Sequence, residues 1–254
     1  MNMETSSIPQ TSTVLKTLLR ADFTTQWRNR RAVILTLIVP VIILASWKGL
    51  IPKLGGPFVL SNSITIGLIA TGLMGYSNSI ARDRDKGIFQ RLRVGPLPAW
   101  TIMGSRIAVQ LGMIFLIATF VFIAGYEFDG VKLTAGGYAL SYLTSLAGGL
   151  VYLSVGQAIV GGIRSPETVN ATSRLIYFVF IMSGMFGEIL LNEAGKVLHD
   201  VIVWSPYGTV KTIVAAGMEP SKWNNEASMA LSVTFGYTIV FAFMGIKWFK
   251  WTSK

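Results

Sequence analysis

Few side chains in this 254-residue sequence could serve as a nucleophile, an acid or a base. The single histidine, His199, has Asp200 beside it, and an isolated pair of this kind in a loop is more typical of structure than of catalysis. Cysteine is absent, which excludes thiolate metal sites and cysteine nucleophiles. The one Gly-Lys pair, Gly195-Lys196, is followed by Val197, so no phosphate-binding Gly-x-x-x-x-Gly-Lys-Ser/Thr loop occurs. We therefore expect no catalytic residue, metal or cofactor on this chain, and no ATP hydrolysis by it.

The composition predicts a protein that lies in lipid. Hydrophobic residues make up 52% of the chain and charged residues only 13%, whereas soluble domains carry about 25% charged residues. The net charge is +10, but the cations lie beside apolar runs and do not form one basic face, so nucleic acid is not an expected partner. The first 31 residues are polar and unlike a signal peptide, so we expect the first apolar run to remain in the protein.

Long apolar runs predict an all-α polytopic membrane protein whose residues 1–254 form a single domain. A membrane-crossing helix needs about 20 mostly apolar residues, and six segments approach that length. The predicted spans are 32–51, 60–81, 107–125, 136–163, 168–191 and 229–248.

The distribution of positive charge predicts the orientation of these spans. Sixteen of the 22 Lys and Arg residues fall in the segments on one side of the six spans. Because cytoplasmic loops are enriched in Lys and Arg, that side is predicted to be the cytoplasmic one. An even number of spans then places both termini in the cytoplasm, with the chain in the cell membrane.

Residues 13–31 are predicted to form an amphipathic helix on the membrane surface. Apolar side chains recur there at spacings of three and four residues, with cations between them. Such a helix buries its apolar face in the headgroup boundary and places its cations near anionic lipid. The alternative is a mobile basic tail. The apolar residues are Leu15, Leu18, Leu19, Phe23 and Trp27.

The loop 82–106 carries the most informative pattern in the chain. Charges of alternating sign open it, and Ile88, Phe89 and Leu92 follow on one helical face before Pro96 ends the pattern. Apolar residues on a helix that projects from the membrane need a protein or lipid surface to cover them. Positive charge for orientation explains the cations of this loop but not its apolar residues.

This loop resembles the cytoplasmic loop of ABC transporter permeases of the type-2 exporter class. The likeness lies in the order acidic, Arg, acidic, basic, Gly, then Arg-Leu and Pro-Leu. Those permeases also have an interfacial N-terminal helix, six spans, a coupling helix between spans two and three, and a re-entrant segment before the last span. The residues expected to couple to an ATPase are Asp83, Arg84, Asp85, Gly87, Phe89, Arg91, Leu92 and Pro96.

The sequence departs from that family pattern at four positions. The family prefers Glu where this chain has Asp83 and Asp85, Thr where it has Ile88, and an acidic residue where it has Gln90. The carboxylate changes are conservative, whereas Gln90 removes a charge that could pair with a partner.

The resemblance implies partners that hold the energy source. Two copies of a cytoplasmic ABC ATPase would bind ATP and Mg²⁺, and a second copy of this chain would complete a homodimer. Charges within the spans are scarce, which indicates a hydrophobic or amphipathic substrate and argues against a proton-coupled carrier. Export from the cytoplasm or the inner leaflet is implied by the resemblance.

Two further patterns concern packing. Between residues 192 and 228 an apolar segment is broken after Trp204 by Pro206, which favours a re-entrant pair of short helices over a plain outer loop. Small residues also recur every four positions, with Gly67 and Gly75 in span two and Gly162 in span four, as in closely packed helices.

Two other functions remain open from the sequence. A membrane subunit for immunity or scaffolding could have this fold without transporting anything. A membrane-embedded lipid-modifying enzyme is the third hypothesis, but it would need catalytic groups beyond His199 and Asp200.

Overall fold

The structure is a computed structural model that describes residues 11–94, 98–190 and 196–251, with the side chains of 94, 99, 185–190 and 196–198 left out. The described residues are almost entirely helical and contain no strand. The helices are α1 (Thr11–Arg28), α2 (Arg30–Ser46), α3 (Ile51–Leu54), α4 (Gly56–Leu68), α5 (Tyr76–Asp85), α6 (Ile88–Val94), α7 (Ala99–Asp129), α8 (Ala135–Gly162), α9 (Pro166–Leu190), α10 (Lys196–Trp204), α11 (Pro206–Met218) and α12 (Asn225–Trp248).

Helices α1 and α2 meet at a sharp bend. Their axes differ by 75°, and the break lies at Asn29, between the amphipathic α1 and the apolar α2. This is the position where the sequence changes from mixed polar and apolar residues to a continuous apolar run. The bend therefore separates the predicted surface helix from the first predicted span.

The second span is one continuous helical segment of unusual backbone. From Gly56 to Asp85 the chain passes through α4, a π-helical stretch at Ile69–Gly75, and α5. A Cβ on Gly72 would lie 2.9 Å from the Cβ of Tyr152 and 3.0 Å from the backbone nitrogen of Leu153. The π-helical stretch thus lies directly against α8, where only glycine leaves room for the backbone.

The interior of the molecule centres on α8. Its buried residues include many glycines and serines, and it packs against α12, α11, the π-helical stretch and α7. Small side chains allow such close approach, and the resulting contacts are based on packing rather than on charge. In contrast, α12 presents a row of exposed apolar side chains that includes Ile239, Phe243 and Ile246.

Four helical segments in the described residues are long and apolar enough to cross a membrane. They are Gly56–Asp85, Trp100–Asp129, Ala135–Gly162 and Asn225–Trp248, and the bent pair α1–α2 makes a fifth if it is counted as one span. Helix α9 covers most of the predicted span 168–191 and is not counted among these segments. The all-α membrane fold is confirmed, and the count of six spans stays a prediction.

The boundaries around the basic loop differ from those predicted. Residues 82–85 form the last turn of α5 and do not belong to a loop, while α7 already begins at Ala99. Only Ile88–Val94 forms a separate short helix. Arg82–Asp85 continue the helix because nothing interrupts it before the turn at Gly87.

Candidate functional site

The end of α5 and the short helix α6 are joined by a tight turn at Gly87. Its φ is +68°, a left-handed conformation that residues with a Cβ rarely adopt. The carbonyl of Gly87 accepts a hydrogen bond from the Arg91 backbone nitrogen at 3.2 Å, which starts α6 immediately after the turn. Gly87 therefore fixes the direction in which α6 leaves the bundle.

Arg84 is buried and connects α5 to the end of α8. Its guanidinium donates hydrogen bonds to the carbonyls of Val160 at 2.6 Å, Ile163 at 2.6 Å and Arg164 at 3.0 Å. The last carbonyls of a helix have no partner within that helix, and an arginine can supply several donors at once. Arg84 thus closes the C-terminal end of α8 and holds it next to the turn before α6.

Asp83 belongs to a second polar cluster, which connects three helices. Arg106 on α7 lies 2.7 Å from Asp83 Oδ2 and 3.3 Å from Asp22 Oδ1, so one cation joins α5 to α1. Ser105 Oγ donates to Asp22 Oδ2 at 2.6 Å. Burial raises the pKa of the Asp22 carboxyl, although the Ser105 hydrogen bond and the Arg106 charge lower it in part. The cluster positions α1 against the bundle.

Phe89 does not form part of the exposed surface of α6. Its side chain is fully buried, with edge-to-face contacts to Phe249 at 6.1 Å and to Trp251 at 5.9 Å between ring centroids. Arg93 lies over the ring of Trp251 at 5.3 Å, and Arg84 lies over the ring of Phe249 at 5.9 Å. The chain's own C-terminal segment therefore covers the face that was expected to meet a partner.

The other predicted coupling residues lie in different environments. Leu92 is half-buried and packs against the core, while Asp85 and Arg91 are exposed. Pro96 lies outside the described residues. What α6 presents to solvent is a polar and basic surface formed by Gln90, Arg91 and Arg93. The assignment of these residues to ATPase coupling stays a prediction.

The apolar residues of α1 fall into two groups. Leu15, Leu18 and Leu19 are half-buried, and Leu18 packs against the core. Phe23 and Trp27 are exposed and stack on each other with ring centroids 5.8 Å apart. An exposed aromatic pair next to Arg20 and Arg28 is compatible with a helix that lies on a membrane surface.

The segment before α12 contains the two predicted short helices, α10 and α11. Tyr237 on α12 donates a hydrogen bond to the carbonyl of Trp204 at 2.8 Å, and Tyr152 on α8 donates to the carbonyl of Pro206 at 3.1 Å. These bonds satisfy carbonyls at the break between the two helices. Helix α11 packs against α8, α12 and α4, so it lies against protein on several sides. Its re-entrant position in a membrane stays a prediction.

The three predicted packing glycines differ in what surrounds them. A Cβ on Gly67 would lie 2.7 Å from Ile117 and 2.8 Å from Pro40, so helices α2 and α7 meet there. The nearest atoms to a Cβ on Gly75 and on Gly162 lie at 3.5 Å and 4.0 Å, which leaves room for a side chain. The closest approach of α8 to α12 is made instead by Gly161, whose Cβ would lie 2.8 Å from the carbonyl oxygen of Gly245.

Several residues of this region were not predicted from the sequence. Arg106 contacts Asp83, and Asp22 joins the same cluster through Arg106. Phe249 and Trp251 contact Phe89 although they are distant from it in sequence. The signal available in the sequence for the charge cluster was Arg106 itself, a charged residue at the start of a long apolar run. The contacts of Phe89 with Phe249 and Trp251 could not be predicted from any pattern in the sequence.

In the described part of the chain, no group of side chains is arranged to bind a metal ion or to carry out acid–base catalysis. His199 and Asp200 lie side by side on α10 with Nδ1 and Oδ1 3.5 Å apart, and both are exposed. The described residues contain no group of three His, Asp or Glu side chains that could hold a metal ion.

Together, the long apolar helices, the amphipathic helix α1 and the short basic helix α6 define a multi-pass helical membrane protein. The family model described as ABC-2 type transporter matches residues 13–189, more than half of the chain, and the protein belongs to that family. The resemblance noted in the sequence is thus confirmed. The chain is a permease component of an ABC-type transporter rather than a catalytic enzyme. A comparison with curated proteins finds no match.

Proposed function

We propose that this chain is the membrane subunit of an ATP-driven exporter, which moves a hydrophobic or amphipathic substrate out of the cytoplasm or the inner leaflet. Two copies of the chain form the translocation path, and two copies of a cytoplasmic ABC ATPase provide the energy. ATP and Mg²⁺ are held by the ATPase. Both termini and α6 lie on the cytoplasmic side, in accord with the excess of Lys and Arg there.

The observation that carries this proposal is the way α6 is joined to the bundle. Arg84, in the last turn of α5, holds the end of α8, and Phe89 on α6 packs on the segment that follows α12. A force on α6 is therefore passed to two long helices through buried contacts. Rigid contacts of this kind can convert a small displacement into a change between two discrete arrangements of helices.

The exposed surface of α6 provides the contact with the ATPase. Gln90 and Arg91 are exposed on α6, and the Arg91 cation suits an acidic groove. When the ATPase pair closes on ATP, the α6 helices of the two copies move together and the path opens to the outside. The ATP site on the ATPase and the translocation path in the membrane are separate sites, and one conformational change couples them.

The character of the buried residues supports an apolar or amphipathic substrate. In the described part of the chain the buried polar residues are mostly Ser and Thr. The buried charged side chains are those of Arg84 and of Asp129, which lies 3.8 Å from Lys48 at the end of α7. Arg84 is already paired with three carbonyls. A substrate with a fixed charge would need a charged partner at membrane depth.

The test is to reconstitute the chain with the ABC ATPase encoded beside its gene and to measure assembly and ATP hydrolysis. Arg91→Glu reverses the charge of an exposed α6 residue and should weaken assembly at least about tenfold, because like charges across an interface cost several kcal/mol. The control is Lys53→Glu, which makes the same reversal at the opposite end of the helices. If Arg91→Glu assembles and hydrolyses ATP as the wild type does, α6 is not the contact. If no ABC ATPase assembles with the wild-type chain, a scaffold or immunity role replaces export.

A further inference from the structure

An apolar cavity of about 460 Å³ lies at the α6 end of the bundle. Its walls come from α5, α7, α8 and α12, and the C-terminal residues Phe249 and Trp251 close one side. Met103, Ile107, Leu150 and Leu153 supply much of the lining. Sites for bound organic molecules have volumes of about 300–1,000 Å³ and mostly apolar walls, so this cavity has the size and character of a binding site.

The few polar groups in the cavity are largely used within the protein. Tyr76 donates a hydrogen bond to Gln157 Oε1 at 2.6 Å, and Ser154 donates to the Leu150 carbonyl at 2.7 Å. The Gln157 side-chain nitrogen makes no hydrogen bond within the described residues. Apolar cavities do not hold water well, so a hydrocarbon with one oxygen acceptor near Gln157 suits this space better than solvent does.

The cavity is bordered by the apolar surface of the bundle. Trp100 is 61% exposed and Ile246 is 73% exposed, and both line the cavity. Side chains this apolar and this exposed face lipid in a membrane protein. A lipid chain could therefore enter the cavity sideways without crossing water.

Positive charge lies at the same end of the bundle, where the Lys247 ammonium lies 5.7 Å from the centre of the Phe243 ring. Lys247 and Lys250 flank Phe249 on the chain, and Arg93 lies over the ring of Trp251; all three are exposed. Each Lys or Arg near a membrane surface adds about 1 kcal/mol of attraction for anionic lipid. The opening thus combines an apolar space with a basic rim.

We propose that this cavity binds an anionic phospholipid, with one acyl chain between α7, α8 and α12 and the headgroup next to Lys247, Lys250 and Arg93. The bound chain lies behind Phe249 and Trp251, the two rings that cover Phe89. Lipid occupancy therefore stabilises the contact between α6 and the end of α12. The site does not depend on the ATPase, on the direction of transport or on the transported substrate.

The experiment uses the full chain in nanodiscs of phosphatidylcholine that contain a small fraction of phosphatidylglycerol. In parallel samples, one lipid or the other carries a photoactivatable group in its acyl chain, and labelled peptides are mapped by mass spectrometry. We expect phosphatidylglycerol to label the peptides that contain Met103 and Ile246 in preference to phosphatidylcholine. Equal labelling by the two lipids would overturn the proposal.

Filling the cavity should abolish this labelling. A Cβ on Gly104 would meet nothing nearer than Trp100 at 3.9 Å, so Gly104→Phe places a ring in the cavity without a backbone clash. Gly112→Phe, at an exposed position of the same helix with nothing within 4 Å, is the matched control and should label as the wild type does. Unchanged labelling in Gly104→Phe would place the lipid elsewhere.

A second pair of substitutions tests the basic rim without changing the residues that line the cavity. Lys247→Gln combined with Lys250→Gln changes two exposed side chains and should lower the preference for phosphatidylglycerol by about fivefold for each lysine. The control replaces Lys132, at the far end of α7, with Gln. A preference that survives the double substitution at full strength would contradict the assignment of the headgroup to this rim.

Discussion

At the scale of single residues, Arg84 and Phe89 connect the basic helix α6 to the rest of the molecule. Arg84 supplies hydrogen bonds that α8 cannot make at its own end, and Phe89 fills a space between Phe249 and Trp251. A buried guanidinium without acceptors would be strongly unfavourable, so its position is fixed by the three carbonyls. Both side chains are therefore structural parts of the proposed coupling route.

Arg84→Met should destabilise the protein. The substitution keeps an unbranched, buried side chain but leaves the carbonyls of Val160 and Ile163 without a donor, which costs about 1–3 kcal/mol for each buried group. The measurement is the temperature at which the detergent-solubilised protein loses its monodisperse profile. Arg82→Met, an exposed change on the same helix, should stay within about 0.5 kcal/mol of the wild type. Equal stability of the two variants would show that the carbonyls find other partners.

Only part of this residue-level arrangement is visible in the sequence. The helical spacing of Phe89 and Leu92 indicates that the two share a face, and Leu92 indeed packs against the core. What covers Phe89 could not be predicted, because Phe249 and Trp251 are far along the chain and follow the last apolar run. Contacts between distant segments leave no periodic signal, whereas residues on one helix do.

At the scale of helices, the molecule depends on the close contact of α8 with α12. Gly161 and Gly245 bring the two backbones together, and the neighbouring Gly162 is exposed. The four-residue repeat of small side chains selects Gly162, whereas the close contact with α12 is made by Gly161, one position away. A repeat identifies a helical face only to within one residue when small residues adjoin each other, as at 161 and 162.

These adjacent glycines provide a matched pair of substitutions. Gly161→Ala should lower the free energy of unfolding by about 1–3 kcal/mol, because the added methyl group would overlap the backbone of α12. Gly162→Ala meets no atom nearer than 4.0 Å and should stay within about 1 kcal/mol of the wild type. Thermal stability in one detergent compares the two. Should Gly162→Ala be the more harmful change, the register of α8 against α12 would be wrong.

Helix α1 is joined to the bundle by apolar packing of Leu18 and by the ion pair of Asp22 with Arg106. Asp22→Asn removes one of the two carboxylates that Arg106 bridges, at a cost of about 1.5 kcal/mol, which corresponds to roughly tenfold faster hydrogen exchange of the α1 amides. Arg20→Gln also changes a charge on α1 but leaves the cluster intact, and its exchange should match the wild type. Equal exchange in the two variants would mean that the ion pair with Arg106 does not hold α1 against the bundle.

The helices themselves were largely predictable. Apolar runs of sufficient length produced helices close to each predicted span, because burial in lipid requires every backbone group to be hydrogen-bonded within the segment. The exact ends of the helices were harder to predict. Helix α5, for example, continues through Asp85 although its last residues are charged. The π-helical stretch at Ile69–Gly75 was not predicted, since it follows from how α8 packs against Gly72 and not from local propensity.

At the scale of the whole molecule, the proposed exporter needs two copies of the chain and two arrangements of its helices. The rows of exposed apolar residues on α2, α9 and α12 provide ample surface for lipid and for a second copy. In the proposed cycle, closure of the ATPase pair on ATP brings the two α6 helices together while the outer ends separate. The opposite movements of the two ends distinguish a transporter from a membrane scaffold that merely binds an ATPase.

The most direct test is a distance measurement between the two copies by pulsed electron paramagnetic resonance. Because the chain has no cysteine, Gln90→Cys labels only α6 and Ser221→Cys labels only the outer end. The reconstituted complex is measured without nucleotide and after trapping with ATP and vanadate. The account predicts that the distance between the α6 labels shortens on trapping while the distance between the outer labels lengthens. Two distances that remain unchanged on trapping, or the absence of any distance between copies, would contradict it.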